Sequence, residues 1–286
     1  MLPLSLERDA PDYVLDVLAE HGKAFLKCLH RPTNVVRSRR AEPVVICVIK
    51  NECDRLPDFL RHYRSHGIER FFFIDNGSTD ATVELLTNQP DCIVYQIKAP
   101  FDWRKKHGWI TLAIDIIGRG RDQWYIYADA DEHIVFDGMG GTTFGDLARQ
   151  MESRGVTRVR GMLVDMYRDG PLLGSSYEPG SSLIEAYPLF DASGYKEEKY
   201  KEIISRKGGP RQRVFGTADP AFRPELTKYP LFKLSSYDIF ANPHHIWPYS
   251  KNFASPCVLG ILHFKFLPDT IRRIETAVKA ENYWNG

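Results

Sequence analysis

Hydrophobic and polar positions alternate in blocks along the first half of the chain. VVICVIK (44–50) is an unbroken apolar run rich in β-branched residues, which predicts a strand covered on both faces. DRLPDFLRHYRSHG (54–67) switches to helical periodicity and stops at a glycine. RFFFID (70–75) predicts a second strand, and STDATVELLTNQ (78–89) a helix with Ser78 or Thr79 as its cap. CIVYQIK (92–98) predicts a third strand, WRKKHGWITLAIDIIGRG (103–120) a third helix and QWYIYAD (123–129) a fourth strand. Strands alternating with helices predict an α/β fold with a mostly parallel sheet and helices on both faces. Ligands of such sheets bind at the carboxyl ends of the strands. The segments KNE (50–52), DNGSTD (75–80) and DADEH (129–133) are therefore expected along one rim.

The flanking regions are less periodic. Residues 11–30 read as one amphipathic helix, with packing on the main domain preferred and a peripheral membrane contact as the alternative. HRPTNVVRSRRAEP (30–43) reads as a basic, proline-bounded linker. Beyond the fourth strand come a helix over 142–155 and a strand over 156–167. A Gly/Pro/Ser-rich loop over 168–182 has the character of a lid or acceptor-binding segment. A strand over 258–266 and a helix over 268–284 follow. The expected organisation is an N-terminal helix and linker (1–42), a main domain (43–267) in two halves (43–137 and 138–267), and a C-terminal helix (268–286).

Composition narrows the function classes. A chain of 286 residues with 43% hydrophobic and 26% charged residues is long enough to bury a large core. A net charge of +1 supplies no general attraction to nucleic acid. The five cysteines form no CxxC pair, which argues against a zinc site and for a reducing compartment. No apolar run reaches 18 residues and the N-terminus lacks the pattern of a signal peptide. A cytoplasmic location, peripheral at the inner face of the membrane if the first helix touches it, is the expectation.

The acidic cluster in YIYADADEHIVF (125–136) is the main chemical signal. Two carboxylates about 4 Å apart repel by roughly 4 kcal/mol at an effective dielectric near 20. A hard divalent cation, Mg²⁺ or Mn²⁺, relieves that repulsion through oxygen ligands and stabilises charge on a departing diphosphate. A solvated acidic loop is the competing account. In DNGSTD, Asp75 is placed to accept hydrogen bonds from a base or ribose, Gly77 permits a tight turn and Asp80 holds the helix start, although a plain turn and cap explain Ser78 to Asp80 equally well. Lys207, Arg211 and Arg213 surround the Gly208–Gly209 pair, a pattern suited to a phosphate or a charged acceptor and also to a solvated loop. His263 and Lys265 share one face of a strand. His244, His245, Trp247 and Tyr249 are open between sugar contact and core, and Trp103 and His107 are candidates to face a donor.

VICVIKNE, FFFIDNGSTDAT and WYIYADADEHIVF together resemble glycosyltransferase family 2, in particular a bacterial branch with N-E, D-N-G-S-T-D and D-x-D-E motifs. The resemblance is good over about 44–137, extends in patches through MLVDMYRDGPL, KGGPRQRVFG and LHFKF, and leaves residues 1–40 uncovered. It implies a GT-A fold, a Rossmann-like mostly parallel sheet flanked by helices with a smaller mixed acceptor-side sheet. It also implies an inverting, metal-dependent transfer of a sugar from a nucleoside diphosphate to a glycan or glycolipid in envelope polysaccharide synthesis. A UDP-sugar is the first expectation and a GDP-sugar the second. Asp129 and Asp131 would be the metal–diphosphate pair, with His263 as a further metal contact. Glu52, Asp75, Asn76, Asp129, Arg211, Arg213 and Lys265 would line the donor. The carboxylate base is sought in Asp165 first, then Glu132, with Asp238 or a histidine of NPHHIW behind them. A nucleotidyltransferase of similar fold is disfavoured because VIKNECDRL replaces a Gly-rich basic loop. A non-catalytic glycan-binding protein remains the third reading.

Overall fold

The two most apolar runs become β2 (Val44–Ile49) and β3 (Phe71–Asp75), with every residue of both buried. Successive side chains of a strand face opposite ways, and the two sides fill two cores. Val45, Cys47, Phe71 and Phe73 pack with α2 (Leu56–Ser65) and α5 (Phe144–Ser153) on one face. Val44, Ile46, Phe72 and Ile74 pack with Trp109, Ile110 and Ile114 of α4 (Trp103–Ile117) on the other. Truncating a side chain such as Phe73 to alanine in such a core costs about 3–5 kcal/mol. The computed structural model describes residues 10–32, 42–118, 122–172, 176–200, 203–254 and 258–279.

The remaining elements are α1 (Asp12–Lys23), β1 (Lys27–His30), α3 (Thr82–Thr87), β4 (Cys92–Gln96), β5 (Trp124–Tyr127), β6 (Glu132–Val135), β7 (Arg158–Asp165), α6 (Leu183–Ala186), β8 (Lys196–Tyr200), β9 (Ile203–Lys207), α7 (Gly209–Phe215), β10 (Thr227–Lys233), β11 (Ile239–Asn242), β12 (His245–Trp247), β13 (Val258–His263) and α8 (Thr270–Lys279). Nine strands form one sheet in the order β1-β4-β3-β2-β5-β10-β7-β13-β6. Strands β4, β3, β2, β5, β7 and β13 run one way, while β1, β10 and β6 run against them. The fold is thus α/β, a large mixed sheet of mostly parallel strands flanked by helices. Two small ribbons, β8–β9 and β11–β12, stand beside it.

Several expectations need correction. The first helix stops at Lys23, and 27–30 is instead an edge strand antiparallel to β4. The linker expectation falls mostly on 33–41, outside the described residues. Helix α3 starts at Thr82 rather than near residue 78, and neither Ser78 nor Thr79 caps it. Asp80 does hold this start, its carboxylate accepting from the Thr82 amide at 3.0 Å. The segment around Gly208–Gly209 is no loop but the beginning of α7. The 138–267 half contributes β7, β10 and β13 to the same sheet as the first half, so the separate sheets are only the two ribbons. Residues 173–175 of the expected long loop and 280–284 of the expected last helix lie outside the described residues. No helix among the described residues is long and apolar enough to cross a membrane.

Candidate functional site

Strand β2 is flanked by β3 on one side and β5 on the other, so the chain leaves β2 in one direction and later returns past it. The crevice at the carboxyl ends of such a pair is where open α/β sheets bind ligands. The loops there are stitched together. Asn51, in the left-handed region at φ 55°, donates from its amide to Ser78 Oγ at 2.9 Å and accepts at Oδ1 from the Thr79 amide at 2.8 Å. KNE and DNGSTD therefore share one rim, and DADEH follows β5 on the same side.

Asp75 does not reach toward a ligand. It is fully buried, and its oxygens accept from the amides of Gly77 (3.2 Å) and Ser78 (3.0 Å) and from Gln96 Nε2 (2.9 Å). It is the acceptor of its own Asx turn, shaping the rim instead of contacting a base. Asn76 is buried too, its amide group donating to the carbonyls of Ile97 and Ala99, with Oδ1 left without a partner. Glu52 sits in an ion network. Arg273 Nη1 is 2.6 Å from Oε1, Arg55 Nη1 is 2.8 Å from Oε2, and Arg55 reaches Asp269 at 2.6 Å. Arg273 also donates to the Asn51 carbonyl at 2.7 Å, so α8 is fastened to the end of β2. Burial raises the Glu52 carboxyl above its ordinary value even against the two arginines.

The acidic cluster divides into two environments. Asp129 accepts from Lys106 Nζ at 2.7 Å and from the Tyr127 hydroxyl at 2.7 Å, with Lys228 Nζ at 3.6 Å. Burial opposes its ionisation, yet Lys106 and Lys228 outweigh burial and hold the carboxyl far below its usual range. Lys228, itself buried, also pairs with Glu132. The Glu132 carboxyl is nonetheless raised, because burial and the nearby Asp129 exceed what Lys228 supplies.

Asp131 and His263 form the other environment. Strand β13 pairs with β6 on one side and β7 on the other, in a register that sets His263 opposite both Glu132 and Asp165. Cross-strand partners share a face, so three chemically active side chains meet. His263 Nδ1 lies 2.7 Å from Asp165 Oδ1, and Nε2 lies 3.6 Å from Asp131 Oδ2. Asp165 also accepts from Arg211 Nε at 2.8 and 2.9 Å. Despite burial, His263 and Arg211 keep its carboxyl well below the carboxylate range. The residue expected as base is therefore held by His263 and Arg211, and these partners lower its affinity for a proton. Burial also works against Asp131, but His263 and Lys265 lower it on balance.

Ligand atoms of Asp131, Glu132 and His263 lie within 4.8 Å of one another. Two carboxylates and an imidazole suit Mn²⁺ or Mg²⁺, and Asp165 on Nδ1 leaves Nε2 free to ligate, the usual carboxylate–histidine–metal arrangement. The two members of the expected pair thus have different neighbours: Asp129 is held by Lys106 with Lys228 behind it, and among the described residues Asp131 groups with Glu132 and His263.

Other expected residues are peripheral. Lys265 is 3.9 Å from Asp131 and faces the site. Arg213 is exposed and pairs with Asp191 on the wall of a cavity of about 620 Å³ at the start of α7. Lys207 pairs with Glu225. Asp238 is engaged by Arg158 and Lys251. Trp103 stacks on Tyr13 of α1, and His107 is 2.6 Å from the Tyr13 hydroxyl, so both serve the packing of α1 rather than a donor. His244 Nδ1 is 2.6 Å from the Thr227 carbonyl. Lys106 and Lys228 are the site residues that sequence reading missed.

No family model and no curated protein matches the chain. Among solved structures, HddC from Yersinia pseudotuberculosis is similar at a TM-score of 0.39 and 10% identity, over 81% of this chain and 97% of that one.

Proposed function

We propose that the protein is a GT-A-type glycosyltransferase that moves a sugar from a nucleoside diphosphate to a glycan or glycolipid. The observation that carries this reading is the meeting of Asp131, Glu132 and His263 at the rim beside the β2–β5 crevice, backed by Asp165. When bound there, a divalent cation supplies Lewis-acid stabilisation of the departing diphosphate. The chain's own residues do the rest. Asp165, itself fixed by Arg211, orients His263, and Lys265 adds positive charge at the mouth. Asp75 and Asn51 hold the rim loops in shape. The cavity beside α7 suits an acceptor: Gly209 on its wall approaches Asp165, with a hypothetical Cβ 3.7 Å from Oδ2, and Phe190 and Arg213 offer apolar and cationic surface. The test is a nucleotide-sugar hydrolysis screen with Mn²⁺. Turnover of at least one UDP- or GDP-sugar, lost in Asp131→Asn, supports the reading, and undiminished turnover in that variant defeats it.

A further inference from the structure

Asp129 belongs to the acidic motif, but its charge is already met by the protein. Lys106 and Lys228 come from different parts of the chain, one from α4 and one from the central strand β10. Both ammonium groups stand over the Tyr127 ring, at 5.7 and 5.9 Å from its centroid, and the Tyr127 hydroxyl donates to the carboxylate they share. Two cations near one point repel, and a carboxylate between them is what allows them to be held together before any ligand arrives.

The arrangement is open on one side. The side chain of Lys106 on α4 keeps 18% of its exposure and that of Asp129 28%, the latter on the same turn as Asp131 at 21%. An ammonium carries three donors, and Lys106 uses one of them on Asp129. Each lysine is a compact point charge of the kind that binds phosphate. The two environments of the acidic turn therefore offer two kinds of positive charge to one diphosphate, the Lys106 ammonium on the Asp129 side, with the buried Lys228 behind it, and a cation-binding set on the Asp131 side.

We propose that Lys106 binds the phosphates of the donor and that Asp129, backed by the buried Lys228, positions it, leaving the divalent cation to Asp131, Glu132 and His263. This rests on the donor reading above. It is tested by calorimetric titration of UDP and GDP into the intact protein, without metal and with Mn²⁺, alongside Mn²⁺ binding alone followed by electron paramagnetic resonance. Wild type is expected to bind one of the two nucleotides measurably without metal. Lys106→Met should weaken that binding by about tenfold or more, the loss of a charge-assisted contact, and leave Mn²⁺ affinity unchanged. Lys106→Arg should retain most of it. Asp129→Asn should weaken nucleotide binding and spare Mn²⁺. The proposal is overturned if folded Lys106→Met binds nucleotide as wild type does, or if Asp129→Asn abolishes Mn²⁺ binding. Failure of wild type to bind either nucleotide under any condition removes the donor reading and this proposal with it.

Discussion

Asp129 and Asp131 stand two residues apart on one turn and are held in opposite ways. Asp129 is gripped at hydrogen-bond distance by Lys106 and Tyr127, with Lys228 behind. Asp131 has its nearest basic neighbours, His263 and Lys265, at 3.6 and 3.9 Å, beyond hydrogen-bond contact. The first carboxylate completes an ion cluster built by the chain. The second has room for a ligand between itself and its neighbours. Sequence proximity thus says little about shared duty, and the partners each acid meets decide it.

That contrast can be broken experimentally, beginning with the largest effect. Lys228→Met leaves Glu132 buried without its cation, and breaking a buried pair in this way costs about 3–5 kcal/mol. A urea denaturation midpoint should drop accordingly, and Glu132→Gln in the same chain should recover part of the loss. Asp131→Asn should lower turnover by about a hundredfold or more, the scale of removing one transition-state charge contact, with the circular dichroism spectrum unchanged. Asp165→Asn should weaken Mn²⁺ binding by roughly 10–100-fold through loss of control over His263, a change Asp129→Asn should not produce.

Acid sensitivity gives a smaller distinction. Asp165 has a depressed folded-state pKa, so its stabilisation is complete above the unfolded carboxyl value near 4 and is lost as pH falls toward the folded value. The urea midpoint of wild type should fall more steeply below about pH 4 than that of Asp165→Asn. His62 adds a background common to both. Burial holds its imidazole down to about 4, so the unfolded chain binds the proton first and stability declines as pH drops below about 6.5. Smallest of all is Arg213→Ala, which breaks an exposed pair with Asp191 worth about 0–1 kcal/mol and should leave Mn²⁺ affinity unaltered.

The first half of the fold was legible because β2 and β3 are covered on both faces, and that condition writes itself as an apolar run. The rim followed from strand direction alone. Much of the second half was not legible, for reasons visible in β10. Its sequence, TKYPLFK, puts Lys228 and Pro230 inside a strand at the middle of the sheet. Proline is tolerated there because the register with β7 shifts between Lys228 and Leu231, where the missing donor costs no ladder bond. The lysine is tolerated because Glu132 and Asp129 lie across from it, and no local pattern announces partners 96 and 99 positions away. Likewise the inward turn of Asp75 depends on Gln96, which only the fold brings near. The apolar residues IVF after the acidic turn signalled burial, but not that Glu132–Val135 form β6, whose register with β13 decides which acid meets His263.

The fastening of α8 to the rim has a consequence for synthesis. Glu52 and Arg273 are 221 positions apart, and a ribosome adding roughly 5–20 residues per second needs about 11–44 s to cover that interval. During that time β2 and α2 are already available to fold, while Arg55 and Glu52 have only each other. The rim is therefore finished late, by residues that emerge long after the strands that carry it. A nascent chain stalled before Asp269 would carry β2 and α2 with an unfinished rim.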